Sequence, residues 1–186
     1  NQLTVSTWVK PNYTNGSPEF TVVSRENSFI LSINKIVPPE RVAKFSVYDG
    51  ISWHIVTGST PINGTTHVAA VVNGSRISIY INGTLDGKLE TGPPDIAAST
   101  ADVIIGAYQN TLRGDERQSN LFSGIIDDAT IYEYSMVDWE IEEEYRKSLK
   151  QYTNSTSGIT SFTLIDGIQT VDSTSISSEL LSIPTK

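Results

Sequence analysis

No cysteine occurs in the 186 residues. That excludes a disulfide framework, a thiol nucleophile and a cysteine zinc site, without fixing the compartment. Histidine is scarce too, with only His54 and His67. No Gly-x-Ser-x-Gly elbow accompanies them, so no nucleophile triad can be assembled. His67 opens an apolar run and reads as a structural residue. Walker-type loops and dinucleotide fingerprints are absent. Apolar runs stay short, as in Val68-Ala69-Ala70-Val71-Val72, well under the roughly 20 residues of a membrane-spanning helix. No basic segment opens the chain. If the protein is secreted, its signal segment has been removed or lies upstream. Positive charge is also in deficit: 13 Lys and Arg stand against 21 Asp and Glu, for a net charge of −8 and a pI near 4.7. This argues against nucleic acid, whose phosphates demand a basic face, and against an anionic membrane surface. An acidic surface suits calcium, which prefers carboxylate and carbonyl oxygens, and it equally serves plain solubility.

What is present is β-rich. Runs of Val, Ile, Thr and aromatic residues fall at 3–9, 21–25, 29–34, 43–48, 52–57, 67–72, 76–81, 103–106 and 125–132. Such residues fit a pleated, half-buried surface. Asp49-Gly50, Asn73-Gly74 and Asn82-Gly83 sit between runs, where residues tolerant of positive φ make tight hairpins. They predict a meander from about Lys44 to Leu89. One helix is expected over 139–150, with Asp138 as its N-cap and Ile141, Tyr145 and Leu149 on one face. The polar stretch 151–158 reads as a linker, and 159–186 as a tail in which strand character resumes. Sequons for N-glycosylation stand at Asn12, Asn15, Asn63, Asn73, Asn82 and Asn154. They favour an extracellular, cell-surface location, although Asn-Gly also serves turns.

A resemblance emerges from pieces in a fixed order: Leu3-Thr4-Val5-Ser6-Thr7-Trp8-Val9-Lys10-Pro11, Thr66-His67-Val68-Ala69, Ile79-Tyr80-Ile81-Asn82-Gly83, Ile104-Ile105-Gly106-Ala107 and Phe122-Ser123-Gly124-Ile125-Ile126-Asp127-Asp128. This order resembles the laminin-G-like domains of the concanavalin A-like lectin and glucanase superfamily. The resemblance implies an all-β fold: an antiparallel two-sheet jelly-roll sandwich over 1–150, with one short C-terminal helix. The family opens with a strand ending in Asp-Gly, which would precede residue 1. Ser161-Phe162-Thr163-Leu164-Ile165-Asp166-Gly167 resembles that strand at the opposite end. A sandwich lacking a strand exposes backbone groups and an apolar groove. The tail, through Phe162, Leu164, Ile165, Ile168 and Val171, is therefore expected to complete this sandwich or a neighbouring one, or else to be linker. Donation between copies or adjacent repeats would build head-to-tail filaments.

The same resemblance raises glycoside hydrolysis, which needs two carboxylates at defined separation. The dense candidate, Glu140-Ile141-Glu142-Glu143-Glu144, falls in the expected helix and reads as a solvated face. The chain is thus expected not to be an enzyme. Relatives also imply a calcium site at Asp127, near Asp166, with Asp115 in the 110–120 loop completing the shell. Strict alternation would turn Asp127, Ala129 and Ile131 toward the core, where Asp127 would need a partner. A glycan site would use exposed aromatics beside polar residues, first Tyr108 with Gln109, Asn110 and Arg113, second Trp53 with Asp49. The expected function is a non-catalytic structural or adhesive module of a surface protein. The alternative is a calcium-supported carbohydrate-binding module.

Overall fold

The computed structural model describes residues 2–14, 16–93, 95–110, 115–158, 163–165 and 168–170. The chain divides into two units, Asn1–Glu143 and Glu144–Lys186.

The first unit holds two five-stranded antiparallel sheets. Its strands are β1 (Gln2–Pro11), β2 (Glu19–Arg25), β3 (Phe29–Asn34), β4 (Val42–Tyr48), β5 (Trp53–Thr57), β6 (Thr66–Asn73), β7 (Arg76–Ile81), β8 (Thr84–Leu89), β9 (Val103–Ile105), β10 (Tyr108–Asn110), β11 (Asp115–Ser119) and β12 (Gly124–Tyr132). One sheet has the order β12-β1-β6-β7-β8 and the other β5-β4-β3-β2-β9, while β10 and β11 form a separate hairpin. Alternation decides which side chains meet between the sheets. Val5, Val9, Phe20, Leu31, Ile33, Phe45, Val47, Ile77 and Ile79 are all at most 1% exposed and form one core. Each such side chain contributes on the order of 2 kcal/mol when buried. The Asn82-Gly83 turn has φ of 50° and 78°, the two positive values that a type I′ hairpin requires.

On the far side of the first sheet, Ala69, Val71, Tyr80, Met136 and Ile141 form a second, smaller apolar cluster. It docks the start of α1 (Asp138–Gly158). Asp138 is not the N-cap. Its Oδ1 accepts the Tyr80 hydroxyl at 2.6 Å, and burial together with this carboxylate pushes the Tyr80 pKa up to about 12. Instead the Val137 carbonyl accepts the amides of Glu140 and Ile141, and the Val137 amide donates to Glu140 Oε2. That is the glutamate half of a capping box. The helix runs on through Gly158, across the stretch read as a linker. Ser, Thr and Asn weaken a helix by less than about 1 kcal/mol each, so an established helix can carry them.

In the second unit, β13 (Thr163–Ile165) pairs with β14 (Ile168–Thr170) in a two-stranded sheet of its own. The tail residues Leu164, Ile165 and Ile168 thus belong to neither five-stranded sheet, whereas Phe162, Val171 and Asp166 lie outside the described residues.

Candidate functional site

The sheet β5-β4-β3-β2-β9 has one face in the core and one turned away from it. Strand register puts Thr21, Ser32, Lys44 and Thr57 in one row across that outer face. Ser24, Ile30, Ser46 and Ile55 form the next row, and Tyr48 and Trp53 pair in a third. Tyr48 and Trp53 are half-buried, with ring centroids 5.1 Å apart. Thr21, Ser24, Ser32 and Ser46 are at most 5% exposed, so the accessible side chains of this face include Lys44, Ile55, Thr57 and, at one end, the aromatic pair. At the other end Lys44 Nζ lies 2.7 Å from Glu19 Oε2, and Ser32 Oγ donates to Glu19 Oε1 at 2.6 Å. A cleft of about 420 Å³ opens there, lined by Glu19, Asn34, Val37, Pro39, Lys44 and Thr57.

Beside the aromatic pair, the β4–β5 turn is tied down by Asp49. Its carboxylate accepts the amides of Ile51 and Ser52 at 2.7 Å each and lies 2.7 Å from His54 Nε2. The Ser52 amide, then His54, hold the Asp49 carboxyl well below the usual carboxylate range. Ser52 Oγ approaches the same His54 nitrogen at 3.4 Å. A catalytic relay engages opposite ring nitrogens, so this trio is a turn brace rather than a triad. His67 has Ser6 Oγ at 2.9 Å from its Nε2 and Trp8 edge-on at 5.4 Å. His67 and Ser6 are 1% and 0% exposed, closed to any substrate.

Tyr108 is half-buried on β10, where its carbonyl accepts Ser119 Oγ. Gln109 contributes to a second cleft of about 330 Å³, shared with Glu26, Asn27, Ser99, Thr100 and Asp102. Asn110 pairs with Asp115 through the backbone, and Arg113 lies outside the described residues. Tyr108 and Trp53 thus stand on different elements, and Trp53 pairs with Tyr48. The polar rows escaped the sequence reading although Ser32, Lys44, Ser46 and Tyr48 alternate with Leu31, Phe45 and Val47. That period-two signal marked strands and was not read as a surface.

Asp127 does not face the core. It is exposed on β12, and its Oδ1 accepts the amide of Asp128 at 2.9 Å. The cause is a register shift opposite Ser6 and Trp8, with Asp128 at φ 49°. It lets Ile126 and Ala129, three residues apart, both pack against the core. Among the described residues no three His, Asp or Glu side chains gather in metal-binding range, so Asp127 alone does not build a calcium shell. Of the sequons, Asn12, Asn63, Asn73 and Asn82 are exposed. Asn82 Oδ1 also accepts the His67 amide at 3.0 Å. Asn154 lies in the helix, and Asn15 is outside the described residues.

Two stacked antiparallel sheets with this connectivity define a concanavalin-like jelly-roll sandwich. The chain belongs to the Laminin_G_3 family of the concanavalin A-like lectin/glucanases superfamily, matched over residues 1–142. No curated protein matches it. Among solved structures it is similar to the carbohydrate-binding module CBM40 of the Ruminococcus gnavus IT-sialidase bound to α2,3-sialyllactose. That likeness has a TM-score of 0.61 at 16% identity, over 77% of this chain and 82% of that one. A native heptameric SAP-like pentraxin from Limulus polyphemus gives 0.57 at 21% identity, over 76% and 68%. The binding domain of botulinum neurotoxin serotype C1 gives 0.53 at 18%, over 78% of this chain but only 36% of that one. At these identities the likeness is one of fold.

Proposed function

We propose that this protein is a non-catalytic, extracellular adhesion module that holds glycans on the outer face of the β5-β4-β3-β2-β9 sheet. The observation that carries the reading is the half-buried Tyr48–Trp53 ring pair, with the exposed hydroxyl residues Ser52 and Thr57 on the adjoining turn and strand. Aromatic rings present apolar surface to the C–H face of a sugar, and nearby hydroxyls satisfy its oxygens. Sequons exposed at Asn12, Asn63, Asn73 and Asn82 support the extracellular placing. A glycan array with the unaltered chain, Trp53→Ala and Tyr108→Ala tests it. Binding should fall at least tenfold in Trp53→Ala. Unchanged binding there with loss in Tyr108→Ala moves the site to β10, and no binding by the unaltered chain ends the reading.

Assembly is the second reading, favoured by Ile105 of β9 and Ile131 of β12, which are 57% and 37% exposed. Copies or adjacent repeats join head to tail through strands donated by the tail around Leu164 and Ile165. Calcium enters only at that junction, where Asp166 from one copy would join Asp127 of the next.

A further inference from the structure

We propose that the Glu19–Lys44 cleft is a second subsite of the glycan face, built for a neighbouring pair of hydroxyls on an uncharged sugar. The ligand is then a short neutral oligosaccharide lying along β4, not a single sugar at the ring pair. This rests on the glycan reading and adds the ligand's length and charge.

The length comes from β4. Lys44, Ser46 and Tyr48 share its outer face, with Lys44 at the cleft and Tyr48 at the ring pair. Four residue steps of strand separate Lys44 from Tyr48 by about 13 Å, more than one pyranose ring and within the span of about three joined end to end. The path between them is continuous. Ile55, opposite Ser46, is 50% exposed, and Thr57, opposite Lys44, is exposed and lines the cleft. An apolar middle suits the C–H face of a sugar ring, while polar groups at the end fix its orientation.

The charge follows from the ion pair. Lys44 Nζ lies 2.7 Å from Glu19 Oε2, and Ser32 Oγ donates to Glu19 Oε1 at 2.6 Å. Both side chains are about a quarter exposed, at 24% and 26%, so each is held in place and still meets solvent in the cleft. An ammonium carries three donors and a carboxylate about four acceptor positions. Their mutual bond and the bond from Ser32 leave donors on Lys44 and acceptors on Glu19 for a ligand. A donor and an acceptor side by side match two adjacent hydroxyls, one accepting and one donating. An acidic sugar gains nothing here, because Glu19 opposes the charge that Lys44 attracts.

The wall of the cleft is built before any ligand arrives. Asn34 Nδ2 donates to the carbonyls of Val37 and Pro39, and its Oδ1 accepts the Val37 amide. Its amide group is thus spent on the loop, and less ordering opposes binding.

An array of mono- to hexasaccharides of glucose, galactose, mannose and N-acetylglucosamine, with sialylated and uronic-acid counterparts, tests length and charge together. The unaltered chain should bind a neutral trisaccharide roughly tenfold or more tightly than the matching monosaccharide, with little gain beyond. Glu19→Gln and Lys44→Met should each remove that gain, whereas Trp53→Ala weakens binding at every length. Thr57→Leu, which crowds the cleft without touching the ion pair, should remove the gain as well. Melting curves for each variant separate lost binding from lost folding. A preference for acidic glycans, or equal binding of mono- and trisaccharide, overturns the inference while the glycan reading stands. So does a gain that survives in Glu19→Gln and Thr57→Leu. If no glycan binds the unaltered chain, or if binding is indifferent to Trp53→Ala, the reading beneath it fails too.

Discussion

Asp86 shows how much one side chain can organise. Burial raises its pKa, but hydrogen bonds from Thr60 and Ser59 outweigh that and leave the carboxyl below its ordinary value. Both loop amides and both hydroxyls converge on its two oxygens. A folded pKa below the unfolded one means the stabilisation is present above about pH 4, the unfolded value, and is lost as pH falls through the folded pKa. Asp86→Asn should therefore melt lower at pH 7, by about 1 kcal/mol, the low end for charge-assisted bonds because the loop is solvated. The gap to the unaltered protein should close as the pH drops below about 4, which melting curves across pH 2–7 would check. The same convergence explains why Asp86 was invisible in the sequence. Its partners lie 26 and 27 positions away, and only folding brings them near.

At the scale of elements, close approach is a stronger constraint than propensity. Thr84–Leu89 holds Asp86-Gly87-Lys88 at its centre, weak strand formers, so the Asn82-Gly83 turn before it announces the strand and its own composition does not. Its ladder with β7 and its contact with Thr57 make it one. Gly87→Ala should lower stability by about 1–3 kcal/mol, the range for overpacking, read as a shift in denaturant midpoint without change in slope. Where apolar and polar residues alternate, as in Lys44–Val47 of β4 and Arg76–Ile79 of β7, strands were legible from composition and period alone. Facing was legible only where register stayed regular. The shift at Asp127 is a property of the pairing with β1, and nothing in residues 125–132 alone signals it. The helix end was obscured for another reason. Residues 151–158 are polar and rich in Ser, Thr and Asn, and such composition suits loops and helix extensions alike.

For the molecule as a whole, the fold was legible because ordered family-like pieces span the sandwich, while the candidate face was not, because it is assembled from four strands. Charge gives a further expectation. Calcium that bridges Asp127 of one copy and Asp166 of another should stabilise the assembly and leave the isolated sandwich unchanged. Melting with and without a chelator should thus differ at high protein concentration and coincide at low concentration, as binding to an associated state requires. Coincident curves at both concentrations would remove calcium from the junction.

The placing of the tryptophans has a practical outcome. Trp8 is 4% exposed beside His67, Trp139 is 63% exposed, and Trp53 is intermediate, on the face assigned to glycans. An aqueous quencher silences the most solvated indole first and leaves the sequestered one emitting. The indole between them is then an unlabelled optical gauge, set where a sugar would stack, for following occupancy in solution.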